Sequence, residues 1–247
     1  MKVIVPSIGR AGNSATVKWL KGTKRQVVFA VHGDETEAYA KSYPWAELLF
    51  VPEECRHHFG RLRKYLLDTI GEPHISCDDD VRISLKTVGT VDEVFTQLED
   101  HIKGGATIAS IGQQLFSNAA KTIPINNDPN AIRNKFASLV YAIDPAPFKE
   151  YDSLTTLRVY EDIAINIHAI QSGGGTVVSY CATHSNVSPP QGGCNSWRTR
   201  EIILEDLHRI CTMYPDICSI RNTDATTHSQ FLGIGLRVAW GKIKRLS

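Results

Sequence analysis

The sequence predicts an α/β protein, a sheet flanked by helices in one domain with a C-terminal helical extension, and three observations carry that prediction. Short β-branched runs alternate with amphipathic stretches through the first eighty residues. Gly- and Pro-bearing loops close most of these runs. Three consecutive carboxylates, Asp78, Asp79 and Asp80, stand at the end of one such run, and in parallel α/β sheets ligands gather at the carboxyl ends of strands.

Lys2 to Pro6 reads as a buried strand, left by the loop Ser7 to Asn13, with Ser14 placed to cap a short helix through Val17, Trp19 and Leu20. Gln26 to Val31 is a second strand, closed by His32-Gly33-Asp34. Glu35 to Tyr43 follows as a helix, and Glu47 to Val51 as a third strand ending at Pro52. Leu62, Leu66, Leu67 and Ile70 recur at helical spacing within His58 to Ile70, and Gly71-Glu72-Pro73 stops that helix before the apolar stretch His74 to Cys77 delivers the aspartates. Val91 to Lys103 is helical, Thr107 to Gly112 and Leu139 to Ile143 are strands, and Ile125 to Asn134 is a polar loop. Tyr160 to Gln171 is an apolar-periodic helix ended by Gly173-Gly174-Gly175, followed by a strand over Thr176 to Tyr180. Ser185 to Asn195 is a Pro-, Gly- and Ser-rich loop, Thr199 to Met213 a helix, and the chain runs on into a basic tail. The expected organisation is a core over 1–198 and an extension over 199–247 packed on it.

The 247 residues are 42% hydrophobic and carry a formal net charge of +1, which suits one sizeable globular domain and permits only a local basic patch. No apolar run approaches the roughly 20 residues that span a bilayer, and a strand begins at once, so a cytoplasmic protein is expected. The six cysteines form no C-x₂-C pair and read as reduced thiols. Neither a P-loop nor a G-x-G-x-x-G turn follows the first strand, and no G-x-S-x-G elbow occurs, which weakens ATPase, dinucleotide and serine-hydrolase readings.

An acidic triplet taken alone is a solvated turn, but adjacent carboxylates at a strand end repel one another as water is excluded, and a hard cation relieves that repulsion. Mg²⁺ or Mn²⁺ keeps one or two protein carboxylates and takes substrate phosphates for the rest. Arg61 and Arg63 precede the aspartate strand and offer guanidinium forks for phosphate oxygens. Glu161 and Asp162 open the later apolar helix, where the dipole favours acids and where Asp162 is placed to act as a general base with Glu161 orienting it. His184, just after a strand, is a possible further metal ligand. Trp197, Arg198, Arg200, Lys242, Lys244 and Arg245 interleave aromatic and basic side chains, a composition suited to nucleic acid.

The runs VIVPSIGR (Val3 to Arg10), FGRLRKYLLD (Phe59 to Asp68) and CDDDVRI (Cys77 to Ile83), followed by the Glu161-Asp162 pair, resemble in content and order the nucleotide-sugar glycosyltransferases of the GT-A fold. The resemblance spans roughly residues 1 to 184 and is nearest to the phage and TET-associated DNA glycosyltransferases. It implies a Rossmann-related mixed sheet, a nucleotide-sugar donor (a UDP-sugar first), and a divalent cation, Mn²⁺ or Mg²⁺. The acceptor implied is the hydroxymethyl group of a modified pyrimidine in DNA, in the host cytoplasm where a phage encodes the enzyme. Carried onto this chain, Pro6, Ser7 and Arg10 would line the nucleotide, with Arg61 or Arg63 at its base or phosphates. Asp78, Asp79 and Asp80 would meet sugar and metal, with Asp80 chief among the metal ligands. The acidic middle residue of this Asp-x-Asp leaves open which two make those contacts. The implied reaction is an inverting single displacement. Transfer to a saccharide or lipid-linked acceptor, nucleotidyl transfer, and a non-enzymatic nucleotide-binding module are the alternatives.

Overall fold

The computed structural model describes residues 1–113, 128, 131–187, 197–222 and 234–245. Among these, nine strands form one mixed sheet: β1 Val3–Pro6, β2 Val27–His32, β3 Glu47–Val51, β4 His74–Cys77, β5 Val81–Leu85, β6 Ile108–Gln113, β7 Ala131–Arg133, β8 Val140–Ile143 and β9 Thr176–Asn186. Their order is β3-β2-β1-β4-β8-β6-β9-β5, with β7 pairing β9 off that path. The β3-β2-β1-β4 half is parallel, whereas β8 lies antiparallel between β4 and β6, and β5 antiparallel on β9. Such a mixed sheet puts the C-terminal ends of four parallel strands along one rim.

Helices cover both faces. On one, α1 Val17–Leu20, α2 Thr36–Ser42 and α4 Val91–Lys103 bury Leu20, Tyr39, Val94, Phe95 and Leu98 against Val3, Val5, Phe29 and Ile111. On the other, α3 Phe59–Ile70, α5 Glu161–Gln171 and α6 Arg200–Met213 bury Leu67, Ile165, Ile167, Leu207 and Ile210 with Tyr151, Tyr214 and Leu154. Each such fully buried side chain contributes ~1.5–3 kcal/mol through removal of apolar surface from water.

Local chemistry sets the helix ends. His58, Thr90 and Thr199 each accept a backbone N–H in the first turn of α3, α4 and α6, and Gly71 closes α3 in the left-handed conformation at φ 63°. Gly60 has a second reason to be glycine: a Cβ there would stand 2.1 Å from the Leu154 carbonyl oxygen and 2.4 Å from that of Leu157. That close approach lets the free N–H groups of Phe59 and Gly60 donate to Arg158 and Leu157, which ties α3 to the segment leading into α5. Asp206 of α6 is fully buried and accepts from the backbone N–H groups of Arg158 and Val159, so the extension holds the same segment from the other side.

Ser14 does not cap α1; its hydroxyl donates to the Asp79 carbonyl at 2.8 Å. Thr16 donates to the Asp78 carbonyl and accepts from Val81 N, and Trp19 Nε1 donates to the Val81 carbonyl. The short helix therefore anchors the acidic turn. The extension, expected to be helical, continues after α6 into an antiparallel pair, β10 Cys218–Asn222 and β11 Ile234–Val238. From residue 188 to 195 the expected Gly-rich loop lies outside the described residues, as does most of the polar loop before β7.

Candidate functional site

A cavity of about 540 Å³ opens at the rim of the parallel half-sheet, within the size range of small-ligand sites. Pro6, His32 and Val51, the last residues of β1, β2 and β3, line it together with Asp78, Asp79 and Asp80 after β4 and with Glu161 and Asp162 from the first turn of α5. Trp197 and Arg198 line it too, with His57, His58 and Phe59. Three cavity residues, His57, Leu139 and Tyr160, are non-glycine residues at positive φ (55°, 60° and 64°), a conformation held only where its surroundings over-determine it.

The triplet divides into one inward and two outward carboxylates. Asp79 is 7% exposed and pairs with the Arg10 guanidinium and the Ser7 hydroxyl. Ser7 also shares a hydrogen bond with the Tyr39 hydroxyl at 2.6 Å, and Tyr43 donates to the Arg10 carbonyl, so α2 pins the whole loop after β1. Burial pushes the Asp79 carboxyl up to about 6, against the pull of Arg10. Asp80 meets Arg10 at 3.2 Å, and Asp78 accepts from Arg63 at 2.9 Å. Burial also raises the Asp80 carboxyl, with Asp78 adding to it.

Behind these, Arg63 joins the two acidic groups. Its Nη1 donates to Ser76 Oγ at 3.0 Å, its Nε lies 3.8 Å from Glu161 Oε1, and its guanidinium sits over the Tyr141 ring at 5.9 Å. Asp162 Oδ1 accepts from the Ile163 amide at 2.8 Å at the start of α5. Burial drives both Glu161 and Asp162 upward; the neighbouring Asp162 charge adds to the shift at Glu161, while Arg63 and Arg198 oppose it. The pair thus holds protons more tightly than free carboxylates do. Asn166 fastens this helix to the cavity wall by exchanging two 2.8 Å hydrogen bonds with the Ala137 backbone, a clamp that nothing in the sequence announces.

The expected site residues fall into three groups. Pro6, Ser7, Arg10, Arg63, Asp78, Asp79, Asp80, Glu161, Asp162, Trp197 and Arg198 line one cavity. The Arg10 and Arg63 guanidinium groups and the Ser7 hydroxyl already bond protein groups, because three acids and Glu161 crowd around them. Arg63, expected to meet the base or phosphates, thus already bonds Ser76 and Asp78. Arg61 is exposed outside the cavity lining, where its Nη1 donates to the Glu54 carbonyl, because α3 turns the 61 position away from the face that carries Arg63. His184 lies within β9, buried and outside the cavity lining, rather than after a strand. Arg200, Lys242, Lys244 and Arg245 are exposed. Residues missed by sequence reasoning are His32, His57, Phe59 and Tyr160; an aromatic or imidazole at a strand or helix end was the signal available.

The donor set suits a hard cation. Asp78 and Asp80 keep side-chain exposure of 29% and 18% toward the cavity, and Arg63 occupies only Oδ1 of Asp78. The buried His184 Nδ1 has no hydrogen-bond partner among the described residues, and burial pushes its imidazole down to about 4, the neutral form that binds metal, with Asp78 close enough to pull it upward. Among the described residues no group of three or more His, Cys, Asp or Glu is placed to hold a metal ion, so two carboxylates and substrate oxygens would have to make up the coordination, as they do for cations that bind substrate phosphates.

The family model of the TET-Associated Glycosyltransferases matches residues 1–183 of the chain. No curated protein matches it in sequence. Among solved structures, GalNAc-T7 with UDP, GalNAc and Mn²⁺ is similar at 12% identity and a TM-score of 0.50, over 84% of this chain and 47% of that one. This chain therefore spans less than half of that relative, and the likeness is one of fold, GT-A-like with a mixed sheet between helices. Two further structures are similar at lower scores. Mannose-1-phosphate geranyltransferase from Thermus thermophilus has 13% identity and a TM-score of 0.45 over 74% of this chain and 75% of that one. The inositol-1-phosphate CTP transferase from T. maritima has 12% and 0.46 over 82% and 94%.

Proposed function

The chain belongs to the TET-associated glycosyltransferases, and on that premise we propose that it moves a sugar from a nucleotide-sugar donor, a UDP-sugar, to the hydroxymethyl group of a pyrimidine in DNA. It is a glycosyltransferase by family. The observation that carries the finer reading is the make-up of one cavity: acids and strand ends, aromatic and basic side chains, and the Glu161-Asp162 pair all line it.

The donor's nucleotide seats against Pro6 and the ends of β1 to β3, and its diphosphate faces Asp78 and Asp80. Mg²⁺ or Mn²⁺, held by Asp80 and Asp78 and by substrate oxygens, with no place for the His184 ligand expected from sequence because that imidazole lies outside the cavity lining, would neutralise charge developing on the diphosphate leaving group. Asp79, already paired, holds Arg10 in place. Asp162 takes the proton from the acceptor hydroxyl as that oxygen attacks the anomeric carbon from the face opposite the leaving group, which gives inversion. A carboxyl raised by burial is a better base for this purpose than a free one, since its proton affinity lies nearer the operating pH. Glu161, against Arg63, orients it.

Support for DNA comes from two flanks. Trp197 and Arg198 lead into Arg200 on one side. On the other, Trp240 packs on the cavity residue Phe136 at 5.8 Å and leads into the exposed Lys242, Lys244 and Arg245. Arg245 lies by Gly173, past the C-terminal end of α5, so a polyanion that meets both basic segments runs from the mouth along that helix, and charges of this kind bind phosphates by counterion release. We assign the chemistry to the 1–198 core and this second flank to the 199–247 extension. No helix among the described residues is long and apolar enough to cross a membrane. Incubation with a panel of nucleotide sugars and Mn²⁺, with and without hydroxymethylated DNA, tests the reading: DNA-dependent release of nucleoside diphosphate is expected, and release that no DNA stimulates contradicts it.

A further inference from the structure

Four side chains from two segments distant in sequence form one aromatic and cationic cluster in the cavity wall. His57 and Phe59 come from the start of α3, Trp197 and Arg198 from the approach to α6. The Trp197 ring lies nearly parallel to His57, with centroids 5.4 Å apart at 24°, and tilted against Phe59 at 5.4 Å and 56°. The Arg198 guanidinium stands over Phe59 at 5.1 Å and over Trp197 at 6.0 Å. Its Nε is buried with no hydrogen-bond partner among the described residues. Arg10 Nε and Arg63 Nε likewise lack one, but the Nη groups of those two already bond Asp79 and Asp78, whereas among the described residues the Arg198 guanidinium makes no ion pair and keeps a donor unused at the cavity wall.

We propose that this cluster is the acceptor-base slot. A planar pyrimidine turned out of its strand seats against Trp197, Arg198 donates to a ring carbonyl oxygen, and the hydroxymethyl group lies toward Asp162. The inference rests on the DNA reading above and names the residues that would select the base. Aromatic faces bind any base by stacking, while a guanidinium N–H left without a partner favours a ring that offers a carbonyl acceptor. The positive φ of His57 fits the same assignment, because the stack with Trp197 helps hold a strained backbone at the slot.

Steady-state kinetics with a hydroxymethylpyrimidine oligonucleotide tests the slot. Trp197→Leu should raise the acceptor KM about tenfold or more, the scale of one lost base stack, and leave the donor KM within about twofold, while Trp197→Phe restores the acceptor KM. An unchanged acceptor KM, or equal rises for donor and acceptor, overturns the proposal. A second measurement stands apart from turnover: with UDP saturating, 5-hydroxymethyldeoxycytidine should quench the indole fluorescence of the unmodified protein and not that of Trp197→Phe. Quenching by the nucleoside without transfer to DNA would keep the slot and discard the polymer acceptor. Quenching by methyl glycosides but not by the nucleoside would discard the slot.

Discussion

Arg63 Nη2 donates to Asp78 Oδ1 at 2.9 Å, and the same guanidinium reaches Glu161 at 3.8 Å, so one buried cation ties the donor end of the cavity to the helix that carries Asp162. Removing it strands two acids in a partly closed site. Breaking a buried pair in this way costs about 3–5 kcal/mol, and Asp78's residual solvent contact places the Arg63→Met variant toward the lower end. Urea denaturation should show that loss. Arg63→Lys should recover much of the stability but less of the transfer rate, because an ammonium lacks the fork that serves Ser76 and Asp78 together.

The three aspartates should separate on substitution. Asp80→Asn and Asp78→Asn should lower the transfer rate at least ~100-fold, the equivalent of losing roughly 3 kcal/mol of charge stabilisation at the leaving group, with Mn²⁺ affinity falling in parallel. Asp79→Asn should act instead on stability, since it breaks the buried contacts with Arg10 and Ser7. Chelation should abolish transfer and Mn²⁺ or Mg²⁺ should restore it. Initial rates, calorimetric Mn²⁺ binding and denaturation midpoints distinguish these outcomes.

That separation shows where the sequence is readable and where it is not. Strand positions in the parallel half and helix α4 follow from periodicity and Gly or Pro punctuation, and Val91–Lys103 is observed with the bounds expected. The placement of Asp78, Asp79 and Asp80 at a strand end was legible for the same reason. Which one turns inward was not, because that depends on Arg10 and Ser7, some seventy residues away. Strand β5 was missed because its pairing with β9 is made across the sheet, far from its sequence neighbour β4. The bonds that Arg63 already makes to Asp78 and Ser76 were not legible either, because a helix pattern shows that a side chain faces a site but not what it bonds there.

Asp162→Asn should lower the rate constant for transfer by ~10²–10⁴, the usual contribution of a positioned base, with little change in donor affinity. Single-turnover kinetics beside donor titration reads both.

Glu161 should make stability depend on pH. Burial and Asp162 raise its folded-state pKa above the ordinary glutamate value of about 4.3. The stability this confers is fully present below that ordinary value and is lost as pH rises through the raised folded value, because the folded state holds the proton longer. The melting temperature should therefore decline across that window, and Glu161→Gln should flatten the decline. A melting curve set at several pH values checks it.

Replacing Lys242, Lys244 and Arg245 with Gln should weaken DNA binding and lower the salt slope by about 0.9 for each phosphate that is no longer neutralised. An unchanged slope in a fluorescence-anisotropy salt series would remove the extension from the DNA surface.

The central claim is sugar transfer from a nucleotide sugar to a hydroxymethylpyrimidine in DNA, and mass spectrometry of the product nucleosides tests it most directly. DNA containing hydroxymethylcytosine or hydroxymethyluracil, incubated with mixed nucleotide sugars and Mn²⁺, should yield a nucleoside heavier by one sugar residue, absent from the Asp162→Asn reaction. Unmodified nucleosides from both DNAs, recovered while the donors are consumed, would contradict it.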